Sequence, residues 1–221
     1  MIRPTTRRIA LAAALAAALG APSSSLYATT YTLEPDYTQG VFRWNHLGFS
    51  SPAAQFAQGA GTLEFDQGDP TRSSVRVTIP LETLRTGVPD LDEDFRSSDF
   101  FATDRFPTAT FKSSRVRSKG SNQLEVTGEL TLHGVTKPIT LAVTVIKVGT
   151  NPRTGLSTVG FDATATLRRS DFGLGKYVPQ VSDAIDMHIT SQAVEAKSYA
   201  EYLKAQAAGQ AAAAAKDATR K

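Results

Sequence analysis

Three histidines, His46, His133 and His188, are the first residues to ask about chemistry in this chain, because it has no cysteine. They are far apart and form neither HxH nor HExxH, so they lack the spacing of a zinc site. Without cysteine there is no disulfide framework, thiolate metal site, Cys nucleophile or lipoprotein anchor. Asp90, Asp92 and Asp94 in DLDED resemble a calcium loop. An EF-hand starting at Asp90 would need Gly at Phe95 and Glu at Phe101, so these are read as solvated loop acids. No GxSxG frames a serine nucleophile. Gly173 and Gly175 in DFGLG do not open a helix with a third glycine, so no nucleotide loop is implied. Arg96, Arg168 and Arg169 flank two long segments and are read as partners of a polar head or of Asp92, Asp99, Asp171 or Asp183.

His46 sits in VFRWNHLGF, residues 41–49. Read as a strand, this run puts Phe42, Trp44 and His46 on one face. Three uses of His46 stand open, one of them as a catalytic centre paired with an Asp as acid and base. Otherwise it is a core histidine satisfied by a neighbouring carbonyl or carboxylate, or a polar handle in an apolar cavity. His133 precedes Gly134 and reads as a turn residue. His188 is out of phase with Ile185, Met187 and Ile189 and is expected to face outward.

The elements that position these residues have a period of two. Alternating runs fall at 41–47, 61–65, 74–81, 108–117, 124–132, 139–148, 158–167 and 184–194, with a short addition at 31–33. Turn-forming FDQGDPTRS, HGVTKP and TNPRTG separate them. Eight short strands with Gly, Pro, Asn and Asp between them indicate an all-β antiparallel sandwich or barrel. A barrel of eight can be solid or hold a small ligand. In-phase small residues such as Gly61, Gly128, Ala163 and Ala165 leave space inside, or the glycines mark bulges and bends. Two segments break the pattern: 82–106, read as a functional insertion or short helices, and 168–183. Phe95, Phe100, Phe101 and Phe106 crowd the first, as an end plug or as a lining.

Composition bounds the partners. The chain has 24 Lys+Arg against 21 Asp+Glu, but residues 29–196 hold 16 against 19. A slightly acidic body argues against a nucleic-acid surface. Arg3, Arg7 and Arg8 precede the apolar run Ile9–Gly20, which describes a cleaved signal peptide over 1–28, with a twin-Arg route open at Arg7-Arg8. The body, 29–196, is then expected to be exported, most simply to a bacterial periplasm. Residues 197–221 read as an Ala-rich, low-complexity appendage.

The ordered pieces YTLEPDYTQGVFRWNHLGFS, GTLEFDQGDPTRSSVRVTIPLETLRTG, FRSSDFFATDRFPTATFKSS, VTGELTLHGVTKPITL, RSDFGL and VSDAIDMHI resemble the YceI-like family of periplasmic lipid- or polyisoprenoid-binding proteins, across 31–196. The resemblance implies an eight-stranded lipocalin-like antiparallel β-barrel with short helical insertions, enclosing a long isoprenoid or other lipid. It implies a carrier rather than an enzyme, with no cofactor beyond that lipid. Transient membrane contact and a monomer or homodimer are expected. The expected lipid contacts are Phe42, Trp44, His46, Phe56, Phe65, Phe95, Arg96, Phe100, Phe111, Phe161, Arg169 and Phe172. One departure bears on the head group. Leu91 and Asp94 stand where the family pattern carries Arg and His, while Asp92, Arg96 and Ser97 remain. Losing two groups able to carry positive charge favours a neutral head, such as a quinone or fatty amide, over a pyrophosphate. A lipid-modifying enzyme and a scaffold without ligand are the alternatives.

Overall fold

The computed structural model describes residues 28–218. The signal-peptide expectation falls on residues outside that range, apart from Ala28. Ten strand segments form one antiparallel sheet. They are β1 Thr29–Leu33, β2 Gln39–Arg43, β3 Ala53–Phe56, β4 Ala60–Phe65, β5 Ser74–Pro80, β6 Thr108–Ser118, β7 Gln123–Leu132, β8 Val135–Thr150, β9 Ser157–Arg168 and β10 Ala184–Glu195. Helix α1 is Pro89–Arg96 and α2 is Ala196–Ala218.

The ten segments make an eight-stave barrel. β1 and β2 are one strand kinked at Glu34–Thr38, and β3 and β4 are its kinked hairpin partner. Pro35 has no N–H to give a ladder, so the chain makes a single 3-10 turn there. The ladder to β10 runs up to the turn, where Glu34 N donates to Gln192 O at 2.8 Å, and resumes beyond it with Gln39 opposite Thr190. On the partner arm Gly59 N donates to Thr38 O at 3.1 Å. A Cβ on Gly59 would lie 2.7 Å from Thr38 Cγ2, so a larger residue there would have to push the Thr38 side chain aside where the two kinks cross. β10 closes the ring. One edge pairs with β9 from Ala184 to Val194, and the other is shared between β2 (Met187 with Phe42) and β1 (Ala193 with Leu33). Closure pairs both edges of β1 and of β4 to β10, and the outer edge of β3 is met by an isolated bridge from Gln55 to Arg85.

The structure differs from the sequence reading at two places here. The run at 41–47 stops being a strand at Arg43, and 53–56 is a strand that the alternation did not reveal. The glycines also have a definite use. A Cβ on Gly128 would sit 2.5 Å from both Lys112 O and Phe111 Cζ, and one on Gly61 would sit 1.9 Å from Arg76 O. These glycines let neighbouring strands and the Phe111 ring come close; they do not create the interior space.

Helix α2 starts directly off β10. Glu195 accepts from Ser198 N at 2.8 Å and Lys197 N at 3.1 Å, which caps two free N–H groups. Those bonds, led by Ser198, hold its carboxyl below the usual range. From Lys204 to Lys216 the helix is exposed all round. No helix among the described residues is long and apolar enough to cross a membrane.

Candidate functional site: a hollow barrel with a closed-over mouth

The alternation that forms the strands also makes the barrel hollow. Inward positions are aliphatic and stand perpendicular to the wall: Val75, Val77 and Ile79 on β5, Ile139 and Val143 on β8, Ile185, Met187 and Ile189 on β10. Together they enclose a cavity of about 640 Å³, within the size range of sites for drug-sized ligands. Along β10 the lining runs from Ile185 to Ser191, about 20 Å of strand at ~3.3 Å per residue. At the far end Phe65 and Phe161 meet edge-on at 5.9 Å. Where β1 and β2 part, Thr38 and Ser191 hydroxyls satisfy each other at 3.0 Å. Among the described residues, no buried side-chain polar atom lacks a partner.

The mouth is roofed by aromatic rings. Phe42 stacks on Phe56 at 5.2 Å, Trp44 meets Phe95 at 5.4 Å, Phe95 meets Phe100 at 5.3 Å, and Phe101 stands edge-on to Phe56 at 5.6 Å. Helix α1 supplies Leu91 and Phe95, and the turns after it supply Phe100 and Phe101. The helix is anchored by Asp92, which accepts from Thr86 N and Thr86 Oγ1, both at 2.6 Å. The Thr86 hydroxyl bond, aided by Arg96 and Arg85, holds the Asp92 carboxyl below its ordinary value. This corrects the reading of DLDED as solvated acids: Asp90 and Asp94 are exposed, but Asp92 is buried and ties the insertion down.

The second roofing segment, 168–183, is wound around Arg169. Its guanidinium donates from Nε to Ser182 O at 2.8 Å, from Nη2 to Val181 O at 3.0 Å, and from Nη1 to Lys176 O at 2.8 Å and to Leu174 O. Burial lowers its pKa, opposed by Asp183. Asp183 in turn accepts from Ser170 N at 2.9 Å and Ser170 Oγ at 2.8 Å. Its burial raises the carboxyl pKa, but those bonds with Arg168 and Arg169 outweigh burial and leave it lowered.

Lys176 joins the two segments across the mouth. Its Nζ lies 2.5 Å from Asp99 Oδ2, 5.6 Å from the Phe100 ring centre and 5.2 Å from that of Tyr177. The Asp99 bond raises its pKa above the ordinary lysine value.

Ten of the twelve sequence-derived contacts border this cavity: Phe42, Trp44, His46, Phe56, Phe65, Phe95, Phe100, Phe111, Phe161 and Arg169. Arg96 and Phe172 do not, and these two are corrected. Arg96, the last residue of α1, turns its guanidinium to Leu84 O at 3.5 Å. Phe172 is packed into the wall with 1% exposure, and its carbonyl lies 3.1 Å from His133 Nδ1. His133 is a turn residue at φ 52°, and its ring is packed edge-on to Phe106 at 4.9 Å. His188 faces outward, 3.7 Å from Asp162. His46 lies past the end of β2, exposed at the rim, where its backbone bridges Ser50 and Val181. It therefore borders the opening and is not a core histidine. Phe101, read as an end plug or a lining, borders the cavity as well, and so do Leu91, Asp99, Lys176 and Tyr177, which were not among the twelve expected contacts. Their signal was position within the two insertions. The aliphatic wall was readable from the same alternation that located the strands.

The fold and its interior define the class: a closed antiparallel barrel with a hollow, apolar interior and one roofed mouth. Residues 31–193 match the YceI-like domain, and the chain belongs to that family. It is 36% identical over 156 residues to Protein YceI of Shigella flexneri, covering 71% of this chain and 81% of that protein. Burkholderia cenocepacia BcnA superposes with a TM-score of 0.63 at 24% identity, covering 70% of this chain and 95% of BcnA. A polyisoprenoid binding domain from Saccharophagus degradans, implicated in plant cell wall breakdown, superposes with a TM-score of 0.59 at 14% identity, covering 76% and 99%.

Proposed function

We propose that the protein is a periplasmic carrier that encloses one long-chain isoprenoid lipid, of polyprenyl or quinone type, and shields it from water. The observation that carries this reading is the hollow interior. A cavity of about 640 Å³ walled by Val, Ile, Leu and Phe gains little from water and much from a chain. Each methylene moved from water into such a wall contributes roughly 0.8 kcal/mol. The family match and the polyisoprenoid binding domain among its structural neighbours support the same ligand class. The mouth favours an uncharged head, because its two lining cations are already engaged, Lys176 with Asp99 and Arg169 with four backbone carbonyls. The chemistry is binding rather than catalysis: His46 stands exposed at the rim, outside the apolar interior where a reacting lipid bond would lie.

The test is native mass spectrometry and organic extraction of the protein purified from its own host. It is joined by titration with detergent-solubilised polyprenol and quinone, read by Trp44, the single tryptophan and a residue of the mouth. A co-purifying polyprenyl or quinone species at one per chain is expected. No bound lipid and no probe uptake would overturn the proposal.

A further inference from the structure

We propose that the β2–β3 turn and the neighbouring 168–183 segment form a docking lip for a phospholipid bilayer. The lip is built, not loose. Leu47 at φ 58° and Gly48 at φ 79° reverse the chain, Gly48 N donates to Asn45 Oδ1 at 2.7 Å, and Phe49 N donates to His46 O at 3.0 Å. The turn is tied to the second segment by Leu47 N to Gln180 O at 3.2 Å and by Ser182 N to Asn45 O at 3.0 Å. This rigid tip holds Phe49 in solvent at 91% exposure and Leu47 at 49%. Tyr177, at 57% exposure, stands on the tied segment. Three of the seven exposed large hydrophobics among the described residues thus gather on one rim. Single exposed apolar residues need no explanation, but a group held out by a fixed turn does.

Two observations choose the bilayer as occupant. The first is charge. The opposite lip, 82–106, carries seven acidic and three basic residues. The apolar lip, 43–50 with 168–183, carries four basic and two acidic ones. Lys176 is paired with Asp99 and Arg169 with backbone carbonyls, so the exposed cations that this lip presents are Arg43 and Arg168, and apolar points beside them suit a surface with anionic phosphates outside and hydrocarbon beneath. The second is continuity. His46 and Tyr177 border the cavity, so a docked lip places the opening against the bilayer. A chain passing there avoids exposing its methylenes to water. This last reason rests on the lipid-carrier reading; the turn geometry and the charge do not.

The experiment is co-sedimentation of the full chain with phosphatidylcholine vesicles, with and without phosphatidylglycerol. Wild type is expected to bind, more tightly when phosphatidylglycerol is present. The double variant Leu47→Ser, Phe49→Ser is expected to bind roughly tenfold or more weakly, since two apolar side chains no longer enter the interface. Polyprenol uptake reported by Trp44 stays unchanged in that variant, because neither residue borders the cavity. Absence of wild-type binding, or equal binding by the variant, would overturn the docking lip. So would a dimer, seen by sedimentation velocity, that the same variant dissolves. Vesicle binding without polyprenol uptake would remove the carrier reading and leave the lip standing.

Discussion

Arg169 tests most directly what the mouth is made of. Replacing it with alanine removes four donors from the carbonyls of Leu174, Lys176, Val181 and Ser182. A hydrogen bond from a charged donor contributes roughly 1.5–3 kcal/mol. Four such bonds do not add fully, and the freed carbonyls lie near the rim, where water replaces part of the loss. An expected cost of about 3–5 kcal/mol follows, much of a typical total stability of ~5–15 kcal/mol. Arg169→Lys keeps the charge but cannot span the same carbonyls with a compact ammonium, and it should cost about half as much. The assay is urea unfolding followed by Trp44 emission, with hydrogen exchange of peptides covering 169–183. In wild type, Leu174 N and Val181 N are hydrogen-bonded within the segment, at 3.1 and 2.8 Å, and should be protected. In Arg169→Ala that protection is expected to be lost first. An unchanged urea midpoint and unchanged exchange, with only lipid affinity reduced, would refute this reasoning. Arg169 would then be a head-group contact and not the centre of a wound loop.

Three further outcomes are expected. Gly128→Ala drives a Cβ into the Lys112 carbonyl and the Phe111 ring, and should cost about 1–3 kcal/mol by overpacking, read as a lower denaturant midpoint; a neutral result would mean that the strands separate freely there. Lys176→Met unties the two roofing segments and should speed release of a bound polyprenol several-fold, measured by stopped-flow Trp44 emission with the unfolding midpoint nearly unchanged. Equal release rates would show that the Lys176–Asp99 pair is not a latch. Asp183 and Glu195 both have lowered carboxyl pKa values, so their contributions are present above the unfolded carboxylate values near pH 4 and fade as pH falls through the lower folded ones. Circular dichroism and Trp44 emission should therefore hold steady from pH 5 to 8, then report a fraying α2 start and a loosening mouth below about pH 4; a transition centred above pH 5 would contradict this.

The strands were legible because half-buried staves impose a period of two, which runs unbroken through β5, β7, β9 and β10 and shifts by one residue only at the bulges after Ser113 in β6 and Val145 in β8. The kinked hairpin was not. Its break joins the turn at Pro35 to the close approach of Gly59 to Thr38, a contact between residues that no local pattern connects. AAQF at 53–56 shows no alternation, so β3 was invisible. The aromatic lining was readable from phase and size, whereas Arg96 and Phe172 misled for one shared reason. Both lie in the roofing segments, where the direction of a side chain is set by turns rather than by a pleat. Phe172 leads into Gly173 at φ 76°, a turn that leaves its side chain in the wall. Asp92 looked like its neighbours in DLDED, and only the fold places Thr86 beneath it.

The ring is closed by the first strand lying against the last, Tyr31 opposite Glu195. Nearly the whole body of the chain therefore separates the two edges that meet. Every earlier pairing in the meander is between neighbours and forms locally, but the closing pair must wait until the last stave has been made. Contacts of such long separation are reached slowly, because a large loop must be ordered before they form. Until then the nascent barrel is an open, curved sheet with both edges unpaired and its apolar face accessible. Such a sheet is prone to pair with another copy. A lipid chain laid along that face would bridge the two unjoined sides, so the cargo would act on assembly as well as on the finished vessel. Refolding in the presence of polyprenol should then be faster and yield less aggregate than refolding without it.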